Sequence, residues 1–133
     1  MNFENLKKLT EQGERQYFEE IEKGIRPAFG SPGGKRIIST MAFLISNLVD
    51  YDMDIQSAIM VPRFNNYEDG ALKIEARIPL DVQDSLQQKG HELEIKKDFD
   101  LYFGGAQGIV IDHETGEMHG GADPRRDGKA SGY

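Results

Sequence analysis

The chain has 133 residues, 23 Asp and Glu against 16 Lys and Arg, a formal charge of -7 and no Cys; this length suits one domain, and the lack of Cys excludes disulfides, thiolate metal sites and a Cys nucleophile. Leu, Ile, Val and Phe together number 32, about a quarter of the chain and sufficient for a hydrophobic core. The acidic excess is local: residues 50–119 carry 15 acids and 6 bases, so no basic face accumulates for nucleic acid, and no apolar run approaches the roughly 18 residues of a membrane span.

Phe3, Leu6, Leu9, Gly13, Tyr17, Phe18, Ile21 and Ile25 recur at spacings of three and four among Lys, Glu and Gln, which predicts an amphipathic helix over residues 3–25, interrupted or weakened at Gly13. Pro27 is expected to close it. The preceding MNFENLKKLTEQ has neither an apolar core nor a cleavage site, so no signal peptide is expected and the compartment stays open.

Phe29-Gly-Ser-Pro-Gly-Gly34 reads as a turn, and the dense apolar residues from Lys35 to Val49 read as a buried helix. A short helix is expected over Asp54–Ile59, with Asp54 as its N-cap and Pro62 soon after. Leu72–Glu75 alternates as a strand, Leu80–Lys89 is a helix stopped by Gly90, and His91–Ile95 alternates again. Residues 106–112 and 117–120 form a predicted hairpin about the turn at His113–Gly116.

The sharpest motif is Gly30-Ser-Pro-Gly-Gly-Lys-Arg36, glycines opening a helix. Backbone N–H groups at such a junction can converge on an anion. A Walker A loop needs four residues between its glycines and Ser or Thr after the Lys; here there are three, then Arg36. A helix-start turn and an oxyanion or carboxylate site are the readings that stay open. Asp50, Asp52 and Asp54 imitate the start of a calcium loop, but Ile55 and Val61 stand where Gly and Glu are required. His91, His113 and His119 share no ligand spacing. Asp123 and Arg125 suit a structural pair across a turn that pins the C-terminal tail, and Arg63 after Pro62 invites the same reading.

Phe29–Ile37, Asn47–Asp50, Ala58–Phe64, Gly90-His91, Gln107–Ile109 and Ala122-Asp-Pro-Arg125 through Gly132-Tyr133 occur in an order that resembles the C-terminal part of the small subunit of gamma-glutamyltransferases (gamma-glutamyltranspeptidases). Leu6, Leu9, Gly13, Tyr17 and Phe18 resemble a helical segment of that family's large subunit, with Glu20 near where Gly is usual. A single domain over 1–133 is expected, with 1–26 the large-subunit-like segment and 29–133 the small-subunit part. Only Arg26-Pro27-Ala28 separates regions that lie far apart in the family, so the chain looks truncated or internally deleted.

The resemblance implies an α+β fold, a partial N-terminal nucleophile hydrolase with two sheets between helices. It also implies transfer or hydrolysis of gamma-glutamyl groups from glutathione or related compounds by a Thr nucleophile, without cofactor or metal. Thr10, Thr40 and Thr115 do not lie in the family's Thr-Thr-His type segment, and the donor-binding Arg and paired Ser have no counterpart. What carries over is Gly33 and Gly34, as backbone donors of an oxyanion hole. The chain is therefore expected to be inactive alone, the alternative being a folded, non-catalytic binding module. Missing neighbours imply a homo-oligomer or an absent subunit part, with Met41, Leu44, Ile45 and Leu48 at the contact.

Overall fold

A computed structural model describes residues 25–66 and 70–132. Two three-stranded sheets carry the fold. In the first, β1 (Ile25–Gly30), β5 (Gln107–Asp112) and β6 (Met118–Ala122) lie in the order β1-β5-β6, all antiparallel. In the second, β2 (Phe64–Asn66), β3 (Leu72–Glu75) and β4 (Leu93–Lys96) lie in the order β2-β3-β4. There β2 and β3 are antiparallel, while β3 and β4 are parallel, joined by helix α3 (Leu80–Gln88). A parallel pair needs such a crossover, since a tight turn reverses the chain.

Helices α1 (Ile37–Val49) and α2 (Ile55–Met60) pack on each other beside the first sheet. Their contact forms the core: Leu44, Ile55, Ala58, Ile59 and Ala106 are buried together, with Phe29, Met41, Leu48, Met53 and Val110 against them. Helix α2 starts as its sequence requires, the Asp54 carboxylate accepting a hydrogen bond from Ser57 N at 2.9 Å. The Ser57 side chain first, and then this backbone bond, hold the Asp54 pKa below the usual carboxylate range. Gly121 lies where α2 meets the first sheet: a Cβ there would stand 2.8 Å from Ile59 Cδ1 and 3.0 Å from Ile55 Cγ1.

The helices expected at 35–49, 54–59 and 80–89, the strand at 72–75 and the hairpin strands all form, with shifted ends. The 91–95 strand runs over 93–96, and the second hairpin strand extends to Ala122. At the hairpin turn the Asp112 carboxylate accepts from the N–H groups of Glu114 and Thr115, which lowers its pKa. Helix α3 stops at Gly90, whose φ of 89° favours glycine.

Two expectations change. Residues 25–30 form strand β1 instead of the end of a helix and a spacer, with Pro27 opposite Val110. β1 is an edge strand, and an edge is where a residue without N–H is tolerated within a sheet. The helix expected over 3–25 otherwise lies outside the described residues. Second, the apolar face expected at an intermolecular contact is largely internal. Leu44 is 1% exposed and Met41 and Leu48 pack on the core, because α2 covers that side of α1. The side left open carries Ile38, at 80% exposure, with Ala42, Ile45 and Val49.

Candidate functional site

The glycine motif occupies the turn between β1 and α1. Gly34, Lys35 and Arg36 form one 3₁₀ turn that runs directly into α1. Gly33 precedes it with φ 140°, and Gly34 has φ 59°. Both values lie where L side chains are strained, so glycine is required here by backbone conformation. Neither glycine belongs to a strand.

The turn rests on Gly104-Gly105, a pair that the sequence reading passed over. Gly105 N donates to Ser31 Oγ at 3.2 Å, and Thr40 Oγ1, from inside α1, donates to Phe103 O at 3.1 Å. A Cβ on Gly104 would stand 2.9 Å from both Pro32 O and Ser31 Oγ. Gly104 must therefore lack a side chain for the two loops to meet. Two glycines just ahead of a predicted strand were the available signal.

Beside the turn, Gly33, Lys35, Arg36 and Tyr102 line a cavity of about 220 Å³. The Arg36 guanidinium lies over the Tyr102 ring, 4.4 Å from its centroid. Lys96 Nζ and Lys73 Nζ stand 5.2 and 5.8 Å from the same ring. Glu94 pairs with both lysines, at 3.4 Å from Lys73, and its carboxyl is held below the usual range by the Lys96 hydrogen bond first. Arg36 Nε is buried without a hydrogen-bond partner among the described residues.

Asp123, Arg125 and Arg63 come together with Glu75 in a buried ion network. Arg125 clasps Glu75 in a two-pronged pair, Nε to Oε1 at 2.5 Å and Nη2 to Oε2 at 2.7 Å. Its Nη1 reaches Asp123 Oδ1 at 3.1 Å, as the sequence suggested. Arg63 Nη2 pairs with Asp123 Oδ2 at 2.8 Å, and Arg77 Nη2 with Glu75 Oε2 at 2.8 Å. The remaining donors are used on main-chain carbonyls: Arg125 on Ile59 and Val61, Arg63 on Ile59 and Phe103. The two guanidiniums thereby satisfy carbonyls at the C-terminal end of α2, which no helical N–H reaches. Asp123 in turn accepts from Ala106 N and Arg125 N. Burial, then the like charge of Arg125, lowers the Arg63 pKa. Glu75, the partner missing from the sequence reading, ends β3 in what looked like an ordinary alternating strand.

The other candidates are dispersed. The Asp50 carboxylate is bonded by Ser46 Oγ at 2.7 Å, and Asp54 caps α2. His119 faces Glu117 at 3.5 Å, both exposed. Among the described residues there is no cluster of three or more His, Asp or Glu suited to a metal ion, and no helix long and apolar enough to cross a membrane. Thr40 is buried, and Thr115 accepts from Glu117 N in the hairpin turn. Thr10 lies outside the described residues.

Residues 19–133 match the family model described as gamma-glutamyltranspeptidase. A glutathione hydrolase-like proenzyme of Bacillus subtilis is 36% identical over 119 residues, covering 83% of this chain and 22% of its own length. Among solved structures, the transpeptidase CapD of Bacillus anthracis superposes with a TM-score of 0.71 at 26% identity, over 84% of this chain and 65% of that one. A gamma-glutamyltranspeptidase mutant of Helicobacter pylori superposes with a TM-score of 0.65 at 37% identity, over 74% of this chain and 53% of that one. The chain thus spans about a fifth of the curated relative's length. Its α+β architecture is a partial version of the N-terminal nucleophile hydrolase fold.

Proposed function

Because the chain belongs to the gamma-glutamyltranspeptidase family, we propose that its 133 residues supply the oxyanion-binding part of a gamma-glutamyl transfer or hydrolysis site. The observation that carries the reading is the Gly33-Gly34 turn, held by Gly104-Gly105 at the start of α1. The substrate is a gamma-glutamyl compound such as glutathione. Attack on its gamma-carbonyl would place negative charge on the carbonyl oxygen, and the backbone N–H groups of Gly33 and Gly34 would bind that oxygen. Such a donor contributes roughly 2.7–4 kcal/mol to the transition state when a nucleophile stands beside it.

The nucleophile is to come from outside the described residues. Thr40 is spent on Phe103 O inside the fold, and Thr115 sits in a hairpin turn. The chain by itself should release no product from glutathione or a gamma-glutamyl anilide. Turnover that survives repurification and is abolished by one substitution in this chain would overturn the reading. In the complementary test, residues 29–133 replace their counterpart in the Bacillus subtilis relative. The chimera is expected to turn over, and Gly34→Val to lower kcat by about 10² to 10³.

The exposed row Ile38, Ala42, Ile45 and Val49 supports self-association or a missing family part across α1. Light scattering on the chain and on Ile38→Asp tests it, a monomer for both at high micromolar concentration refuting it.

A further inference from the structure

Arg36 differs from Arg63, Arg77 and Arg125 in pairing with no carboxylate among the described residues. Arg63 and Arg125 spend their donors on carboxylates and carbonyls, whereas no ion pair to Arg36 is formed among the described residues. Its guanidinium is nevertheless held over the Tyr102 ring, 4.4 Å from the centroid, beside the cavity that Gly33 also lines. A stacked guanidinium keeps the edge of its plane for hydrogen bonding, and that edge matches the two oxygens of a carboxylate. The surroundings favour an anion too. Lys73 and Lys96 face the same ring, with Glu94 as their carboxylate, in a chain whose formal charge is -7. Arg36 Nε, like Arg77 Nε, makes no hydrogen bond among the described residues, so Arg36, which also lacks a carboxylate partner, keeps donor capacity that a ligand can use.

From this geometry we propose that Arg36, stacked on Tyr102, forms a carboxylate-binding subsite adjoining the Gly33-Gly34 turn. The identity of the physiological ligand, a gamma-glutamyl compound, rests on the function proposed above; the carboxylate chemistry does not. A gamma-glutamyl compound has a carboxylate on its glutamyl half and, when its amine half is an amino acid or peptide, a second one there. Arg36 recognises a carboxylate of the same compound whose carbonyl meets the turn, and so positions that carbonyl against it. Tyr102 is a positioning residue, acting through the guanidinium.

The test uses the whole chain labelled with nitrogen-15, reading the Arg36 Nε–H and the Gly33 and Gly34 amides by NMR. The probes are glutathione, a gamma-glutamyl anilide with its carboxylate on the glutamyl half, glycylglycine with its carboxylate on the amine half, acetate, and glycinamide at matched ionic strength. A saturable shift of the Arg36 Nε–H with glutathione, weakened about tenfold or more in Arg36→Gln and unchanged in Lys89→Gln, supports the subsite. Arg36→Lys should bind between wild type and Arg36→Gln, because it keeps the charge and loses the fork. Tyr102→Leu keeps the Arg36 charge and should weaken binding while the fold, read from dispersed amide signals, persists.

Whichever of the anilide and glycylglycine keeps the Arg36 shift identifies the half recognised. Acetate binding at Arg36 as tightly as glutathione supports the carboxylate subsite and counts against the gamma-glutamyl reading. Absence of a saturable Arg36 shift with every carboxylate at millimolar concentration overturns the proposal. So does an equal shift with glycinamide, or unchanged binding in a folded Arg36→Gln protein.

Discussion

Arg125 and Arg36 belong to one small fold and are held in opposite ways. Arg125 is fully enclosed, bonded to two carboxylates and two main-chain carbonyls. Arg36 is half-buried, held by an aromatic face, and has an Nε with no acceptor among the described residues. The first arrangement consumes its hydrogen-bonding capacity in joining α2, β3 and the segment after β6. The second leaves capacity over. An arginine that completes the fold should therefore be sensitive in stability and indifferent to ligand, and one that serves a site should behave in the reverse manner.

The largest effect is expected from Arg125→Leu, which leaves Glu75 and Asp123 buried without their shared partner. Loss of one member of such a pair costs roughly 3–5 kcal/mol. Urea denaturation reads this, and a loss below about 1 kcal/mol would mean that water reaches the network and that the contrast with Arg36 is false. Gly34→Val comes next. Its φ of 59° is unfavourable for a β-branched residue, and the strain is worth about 1–3 kcal/mol. Ala130→Val, at an exposed position, should stay within about 0.5 kcal/mol.

Asp54→Ala should destabilise by about 1 kcal/mol, through loss of the cap on α2. Its acid dependence follows from the lowered folded-state pKa values of Asp54 and Asp112. A depressed carboxylate contributes stability above its unfolded pKa, about 4, and loses it as pH falls through the lower folded value. Denaturation profiles below about pH 4 should thus be flatter in Asp54→Asn than in wild type. The smallest change is expected for Arg36→Gln, within about 0.5 kcal/mol, even as carboxylate binding is lost. A much larger destabilisation would place Arg36 with Arg125 as part of the scaffold.

What the sequence determined by itself is what acts within a few residues. The 80–88 helix and its Gly90 stop, the Asp54 cap, the 72–75 strand and the hairpin follow from periodicity, capping and turn chemistry. The order of the motifs from Phe29 to Arg125 was also sufficient to place the chain in its family. Tertiary structure decided the rest, because those contacts join residues far apart along the chain. Pro27 lies in a strand because Val110, beyond three helices, offers an edge. Glu75, unremarkable within an alternating strand, becomes the anchor of a buried network only when Arg125 arrives from fifty residues away. Leu44 faces the core and Ile38 faces solvent on one helix with apolar residues around most of its circumference, because α2 packs against one side of it. Arg36 stands next to the glycines in sequence, yet its meaning depends on Tyr102, a partner that no local spacing could have named.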